Sequence, residues 1–112
     1  MKSIDHDTEA AVRRFLSLVG ERYDVVGAIL YGSRARGSHG KGSDADVAVL
    51  LKGEHGKFLP VSWDMGRDAF DVMLETDVLI DPLPIWSDEW EHPEDSWNPE
   101  LFRNISRDGV RL

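Results

Sequence analysis

Gly32-Ser33 and Asp44-Ala45-Asp46, separated by ten residues, stand between two apolar runs, and few folds accommodate that arrangement. Residues 25–31 (VVGAILY) are apolar at successive positions, as in a strand buried on both faces. Residues 46–51 (DVAVLL) read as a second strand, with Asp46, Ala48 and Leu50 on one side and Val47, Val49 and Leu51 on the other. The connection holds Gly37, Gly40 and Gly42, and with them the cations Arg34, Arg36 and Lys41. A glycine turn can aim backbone N–H groups at an anion. Asp44 and Asp46 are two apart, so both carboxylates leave the same strand face. Such a pair repels itself unless a cation intervenes, and hard divalent cations favour oxygen donors of this kind.

Around this centre the pattern is one of alternating helices and strands. Val12, Phe15, Leu16 and Val19 have helical spacing within residues 5–20. Residues 63–76 read as a second helix capped by Ser62, with Met65, Ala69, Val72 and Met73 on one face. Residues 78–81 form a short third strand, which Pro82 and Pro84 confine to an edge or bring to an end. An acidic connection over 86–97 carries Trp86, Trp90 and Trp97. Asn98-Pro99 then opens a helix that buries Leu101, Phe102 and Ile105 and stops at Gly109. The expectation is one α+β domain over residues 1–112, a short mixed sheet with flanking helices.

A third carboxylate would complete a two-cation site. Asp81 is the candidate, because a neighbouring strand can bring it beside Asp46. Asp77 is second, on the same strand face as Asp81, and Asp71 would require the helix to end earlier.

Gly32-Ser33-x10-Asp44-x-Asp46 resembles the signature of the nucleotidyltransferase superfamily. Residues 31–37 (YGSRARG) and 43–47 (SDADV) are similar to its minimal stand-alone branch, the MNT proteins. The resemblance is close over residues 25–51 and looser beyond. It implies a nucleotidyltransferase core that uses ATP as donor and Mg2+ as cofactor. Asp44, Asp46 and Asp81 would be the catalytic, metal-binding carboxylates. Gly32, Ser33, Arg36 and Ser43 would bind nucleotide, with Arg34 and Lys41 as weaker candidates for the triphosphate. It further implies a partner of HEPN type, a helical ribonuclease toxin, with the MNT protein as antitoxin, in some pairs by moving AMP onto the toxin. In family strands the third carboxylate is usually not followed by proline, whereas here Pro-Leu-Pro follows Asp81. Two other readings are a binding module that covers a basic partner without catalysis, and an ATP sensor without turnover.

Composition narrows the partners. The net charge is −8, and residues 54–100 hold thirteen acidic against two basic side chains. A surface so charged repels nucleic acid and favours a basic protein. The apolar runs are too short to cross a bilayer, and Asp5, Asp7 and Glu9 stand where a signal peptide would be basic. With no cysteine, a disulfide framework and a thiolate metal site are excluded, which is compatible with a cytoplasmic setting. Gly40-Lys41-Gly42-Ser43 resembles the end of a P-loop without its Lys-Ser/Thr step. The four histidines lack metal-ligand spacing and are expected at the surface, with His39 in the glycine turn.

Overall fold

The computed structural model describes residues 4–38, 40 and 42–112; His39 and Lys41 therefore lie outside the described residues. Helix α1 (His6–Gly20) begins where Asp5 accepts the Thr8 N–H at 2.8 Å, an N-cap that satisfies one orphan donor of the first turn. Thr8, Ala11, Val12, Phe15 and Val19 are its buried stripe, and Leu16 is only partly buried. Strands β1 (Val25–Tyr31) and β2 (Ala45–Leu51) pair antiparallel, from Val25 opposite Leu51 to Tyr31 opposite Asp46, with an irregularity between Val25 and Gly27. Between them lies a single helical turn, α2 (Ser33–Arg36), where the sequence reads as a plain glycine turn.

Helix α3 (Phe58–Thr76) starts five residues before the expected position. Pro60 falls in its first turn, where a missing N–H costs nothing, so the proline starts the helix instead of breaking it. Ser62 accordingly lies inside the helix and is not its cap. The helix ends at Asp77, whose φ of 64° is the left-handed conformation of a C-cap. Asp77 thus belongs to a helix terminus and not to the strand face of Asp81.

Strand β3 (Ile80–Trp86) pairs parallel with β2 over its whole length, from Ala45 opposite Ile80 to Leu51 opposite Trp86. Pro82 and Pro84 do not end it. They are two apart, so both lack their N–H on the same side, the outer one, and β3 is an edge strand in the order β3-β2-β1-β4. A short helix α4 (Ser87–Glu91) and a 3-10 turn (Pro93–Asp95) occupy the acidic connection. Helix α5 (Pro99–Asp108) is capped by the Asn98 side chain, which accepts the Leu101 N–H at 3.2 Å. Gly109 then lets the chain pass tightly over Ile29 and the Ile105 carbonyl, into the two-residue strand β4 (Val110–Arg111) beside β1.

Each face of the sheet has its own core. Val47, Val49, Leu51, Ala28 and Leu30 meet α1 and α3 through Phe15, Val19, Met65 and Val72. Ile29, Ala48, Leu50 and Ile85 meet Phe102 and Ile105 of α5. Among the described residues no helix is long and apolar enough to cross a membrane.

Candidate active site

The strand register sets the carboxylates side by side. Tyr31, Asp46 and Asp81 are cross-strand neighbours on β1, β2 and β3. They share the sheet face of Ile29, Ala48, Leu50 and Ile85 by strand alternation. Those four are sealed beneath α5, which leaves the row of Tyr31, Asp46 and Asp81 at the uncovered end of the face. Asp44 stands two residues before Asp46, exposed just outside the strand.

Electrostatics bear the proximity out. Burial pushes the Asp46 carboxyl above its usual range, and the charges of Asp81 and Asp44 raise it further, while Arg36 acts the other way. Asp81 is raised by burial and then by Asp44. The Tyr31 phenol is raised by burial, then by Asp46 and Asp81. The sequence reading gave Tyr31 no role, although its place in the alternation of β1, two residues after Ile29, is the signal that puts it in the row.

Gly32 joins the turn to this row. Its φ of 74° lies in the left-handed region, and a Cβ on it would collide with the Asp46 carboxylate. Glycine is required there both by conformation and by the approach of backbone to carboxylate. Ser33 opens α2, and Gly37 closes it with a φ of 74°. The first N–H groups of a helix have no partner within it, so the turn at Ser33 presents donors next to a cluster of acceptors.

The two arginines of α2 divide their work. Arg34 is buried: it donates through Nε and Nη2 to the Ser43 carbonyl at 2.9 and 2.7 Å, and through Nη1 to the Thr8 hydroxyl at 2.7 Å. Thr8 in turn donates to Asp5 at 2.8 Å. Arg34 therefore ties the loop before Asp44 to the start of α1, and it does not face a triphosphate. Arg36 is exposed and is the cation whose field reaches Asp46. Ser43, besides its clasped carbonyl, accepts the Gly40 N–H on its hydroxyl at 3.1 Å.

Asp44, Asp46 and Asp81 offer the hard oxygen donors a divalent cation needs, and their mutual repulsion is the deficit such a cation would relieve. Among the described residues no three acidic or histidine side chains converge on one point as a finished cage. The donor set fits a cation shared with phosphate oxygens, since Mg2+ commonly takes one or two carboxylates together with substrate phosphates.

Other candidates go elsewhere. Asp71 lies on α3 and lines, with Asp81, Pro82, Trp63 and Phe70, a groove of about 630 Å3 along the edge of β3. His55 bonds Glu89 at 2.9 Å and packs on Trp86, and His6 and His92 are exposed. Trp86 is buried, Trp90 packs on Phe102, and Trp97 meets Phe58 and Phe102 edge-on.

The sequence matches the family model described as nucleotidyltransferase domain over residues 12–95, well over half of the chain. No curated protein matches it. A solved structure of similar fold is that of a candidate nucleotidyltransferase from Sulfolobus solfataricus. It is 18% identical, with a TM-score of 0.55, and the match covers 99% of this chain and 89% of that one.

Proposed function

The chain belongs to the nucleotidyltransferase-domain family, and we propose that it moves AMP from ATP to a hydroxyl on a partner protein. The observation that carries this reading is the register of Asp46 and Asp81 on adjacent strands, with Asp44 beside them and the Gly32 backbone against Asp46. The two prolines after Asp81 do not displace it, because β3 keeps its pairing through both.

In this reading the N–H groups at Gly32 and Ser33 hold phosphate oxygens, and Arg36 and Ser43 line the same turn. Asp44, Asp46 and Asp81 would hold Mg2+, which would neutralise charge on the triphosphate and lower the pKa of the acceptor hydroxyl. The new bond joins the acceptor oxygen to the α-phosphorus, the bond to the β-phosphate oxygen breaks, and pyrophosphate leaves. Asp81 would hold the ion on the acceptor's side or take the acceptor proton. Tyr31 borders the row and helps to exclude water from it.

The acceptor is a basic, HEPN-type toxin, and the chain acts as its antitoxin in the cytoplasm. One observation supports a protein acceptor: Asp88, Glu91, Glu94 and Asp95 form an exposed acidic border on α4 and the 3-10 turn. Glu89 is excepted, since it accepts the Trp86 N–H at 3.0 Å and bonds His55.

The test uses ATP labelled at the α- or the γ-phosphate, incubated with Mg2+, this protein and a co-expressed HEPN-type partner. Label should pass to the partner from α-labelled ATP alone, and Asp46→Asn should abolish it. Transfer from γ-labelled ATP, or tight partner binding with no transfer, would overturn the proposal; the second result would favour a covering antitoxin.

A further inference from the structure

The outward side of α3 carries large apolar residues with nothing over them. Leu59 is 76% exposed, Trp63 80%, Phe70 54% and Leu74 69%. Their spacing is helical, so they form one stripe along the helix. Monomers rarely leave so continuous an apolar surface on a helix that is otherwise well packed. Met65, Ala69 and Val72 hold α3 to the sheet from its opposite side, so the stripe is not needed for the fold.

The stripe has a symmetry that selects its occupant. Leu59 and Leu74 lie equally far from the midpoint between Gly66 and Arg67, and so do Trp63 and Phe70. A two-fold axis through that midpoint, with a second α3 running antiparallel, sets Leu59 of one copy level with Leu74 of the other. Trp63 comes level with Phe70 in the same way. Self-complementarity of this kind is what a two-fold interface demands. The centre fits as well: Gly66 has open space where a Cβ would be, so two helices can approach closely there. Arg67 flanks the centre. An unrelated partner would have no reason to find the pattern symmetric.

We infer that this face of α3 is the interface of a two-fold dimer of the chain, centred on Gly66 and Arg67. Leu59, Trp63 and Phe70 also border the groove that Asp81 and Pro82 line, so the dimer contact lies next to that carboxylate without including it. No residue of the stripe belongs to the carboxylate row.

The chain has no cysteine, so an introduced thiol is the only one present. Under mild oxidation, full-length Gly66→Cys should form a disulfide-linked dimer. Leu59→Cys alone should not, because its two copies would stand about 22 Å apart along the helices. A mixture of Leu59→Cys and Leu74→Cys should form mixed dimers. Sedimentation should show the wild type as a dimer, and Trp63→Glu should raise its dissociation constant at least about tenfold. The far-ultraviolet circular dichroism of that variant should not change, since Trp63 is 80% exposed. A monomeric wild type, equal cross-linking at every position, or a dimer indifferent to Trp63→Glu would overturn the inference.

Discussion

Arg34 and Arg36 are two residues apart and direct their charges oppositely. Arg34 is spent inside the molecule on the Ser43 carbonyl and the Thr8 hydroxyl, whereas Arg36 remains at the surface near Asp46. The two should separate by experiment. Arg34→Lys cannot reproduce a planar clasp on two partners. It should lower stability by about 1–3 kcal/mol, the range for lost hydrogen bonds of a charged group. Arg36→Ala should leave the unfolding temperature in place and weaken ATP binding; thermal unfolding and calorimetry read the two effects. The carboxylate row gives a prediction with a sign. The Asp46 carboxyl is raised in the folded state, so its ionised form costs stability. That cost is absent below the ordinary carboxylate range, where both states hold the proton, and grows as pH rises through the raised value. Asp46→Asn should therefore stabilise the protein at neutral pH, in chelator, by up to about 1 kcal/mol after solvent screening. The gain should fade as the pH is lowered, and unfolding curves across acidic and neutral buffers check it.

At the scale of elements, the two strands flanking the glycine turn were legible because their residues are apolar in unbroken runs, and β1 has the expected bounds. The glycine turn was legible as a turn, but α2 was not, because a four-residue helix has no periodicity to read. Pro82 and Pro84 were legible as marking an edge or an end, and the sheet order makes β3 an edge strand; a local rule cannot choose between the two. The early start of α3 was not legible, because Pro60 in a first helical turn reads no differently from a loop proline. Strand β4 is two residues long and exists because Gly109 turns the chain back onto β1, a contact that sequence spacing does not encode. Helix α3 is tied to the start of β1 by charge. Arg22 donates to Asp64 at 3.1 Å and to Asp68 at 2.5 Å, and the Tyr23 hydroxyl donates to Asp64 at 2.8 Å. These bonds hold the Asp64 carboxyl below its usual range. The corresponding stability is present above the ordinary carboxylate range and is lost as pH falls through the lowered value. Arg22→Ala leaves the buried Asp68 without that partner and should destabilise the protein by about 1–3 kcal/mol at neutral pH. Denaturant unfolding at neutral and acidic pH should show the deficit shrinking with acid.

At the scale of the whole molecule, the sheet works as a ruler. Antiparallel pairing of β1 with β2 and parallel pairing of β2 with β3 bring residues 31, 46 and 81 into one row, although they are far apart in the chain. Asp44 and Asp46 were legible from spacing alone. Asp81 was a choice among three carboxylates; the parallel register sets it level with Asp46, whereas Asp77 caps α3. In a small domain tryptophan more often packs than stands as a partner surface, and Trp86 is core while Trp90 and Trp97 pack around Phe102. Trp97 keeps half its surface exposed, and the most exposed is Trp63, on a helix whose outer face composition does not single out. In the proposed function the Gly32 turn and the carboxylate row are two halves of one nucleotide site. Calorimetric titration of ATP into the wild type and Asp46→Asn, each with and without Mg2+, tests it most directly. The wild type should bind ATP strongly only with Mg2+, and Asp46→Asn, folded and at least as stable, should lose at least about tenfold in affinity, roughly 1.4 kcal/mol. Equal affinity in the two proteins, or wild-type binding indifferent to Mg2+, would contradict it.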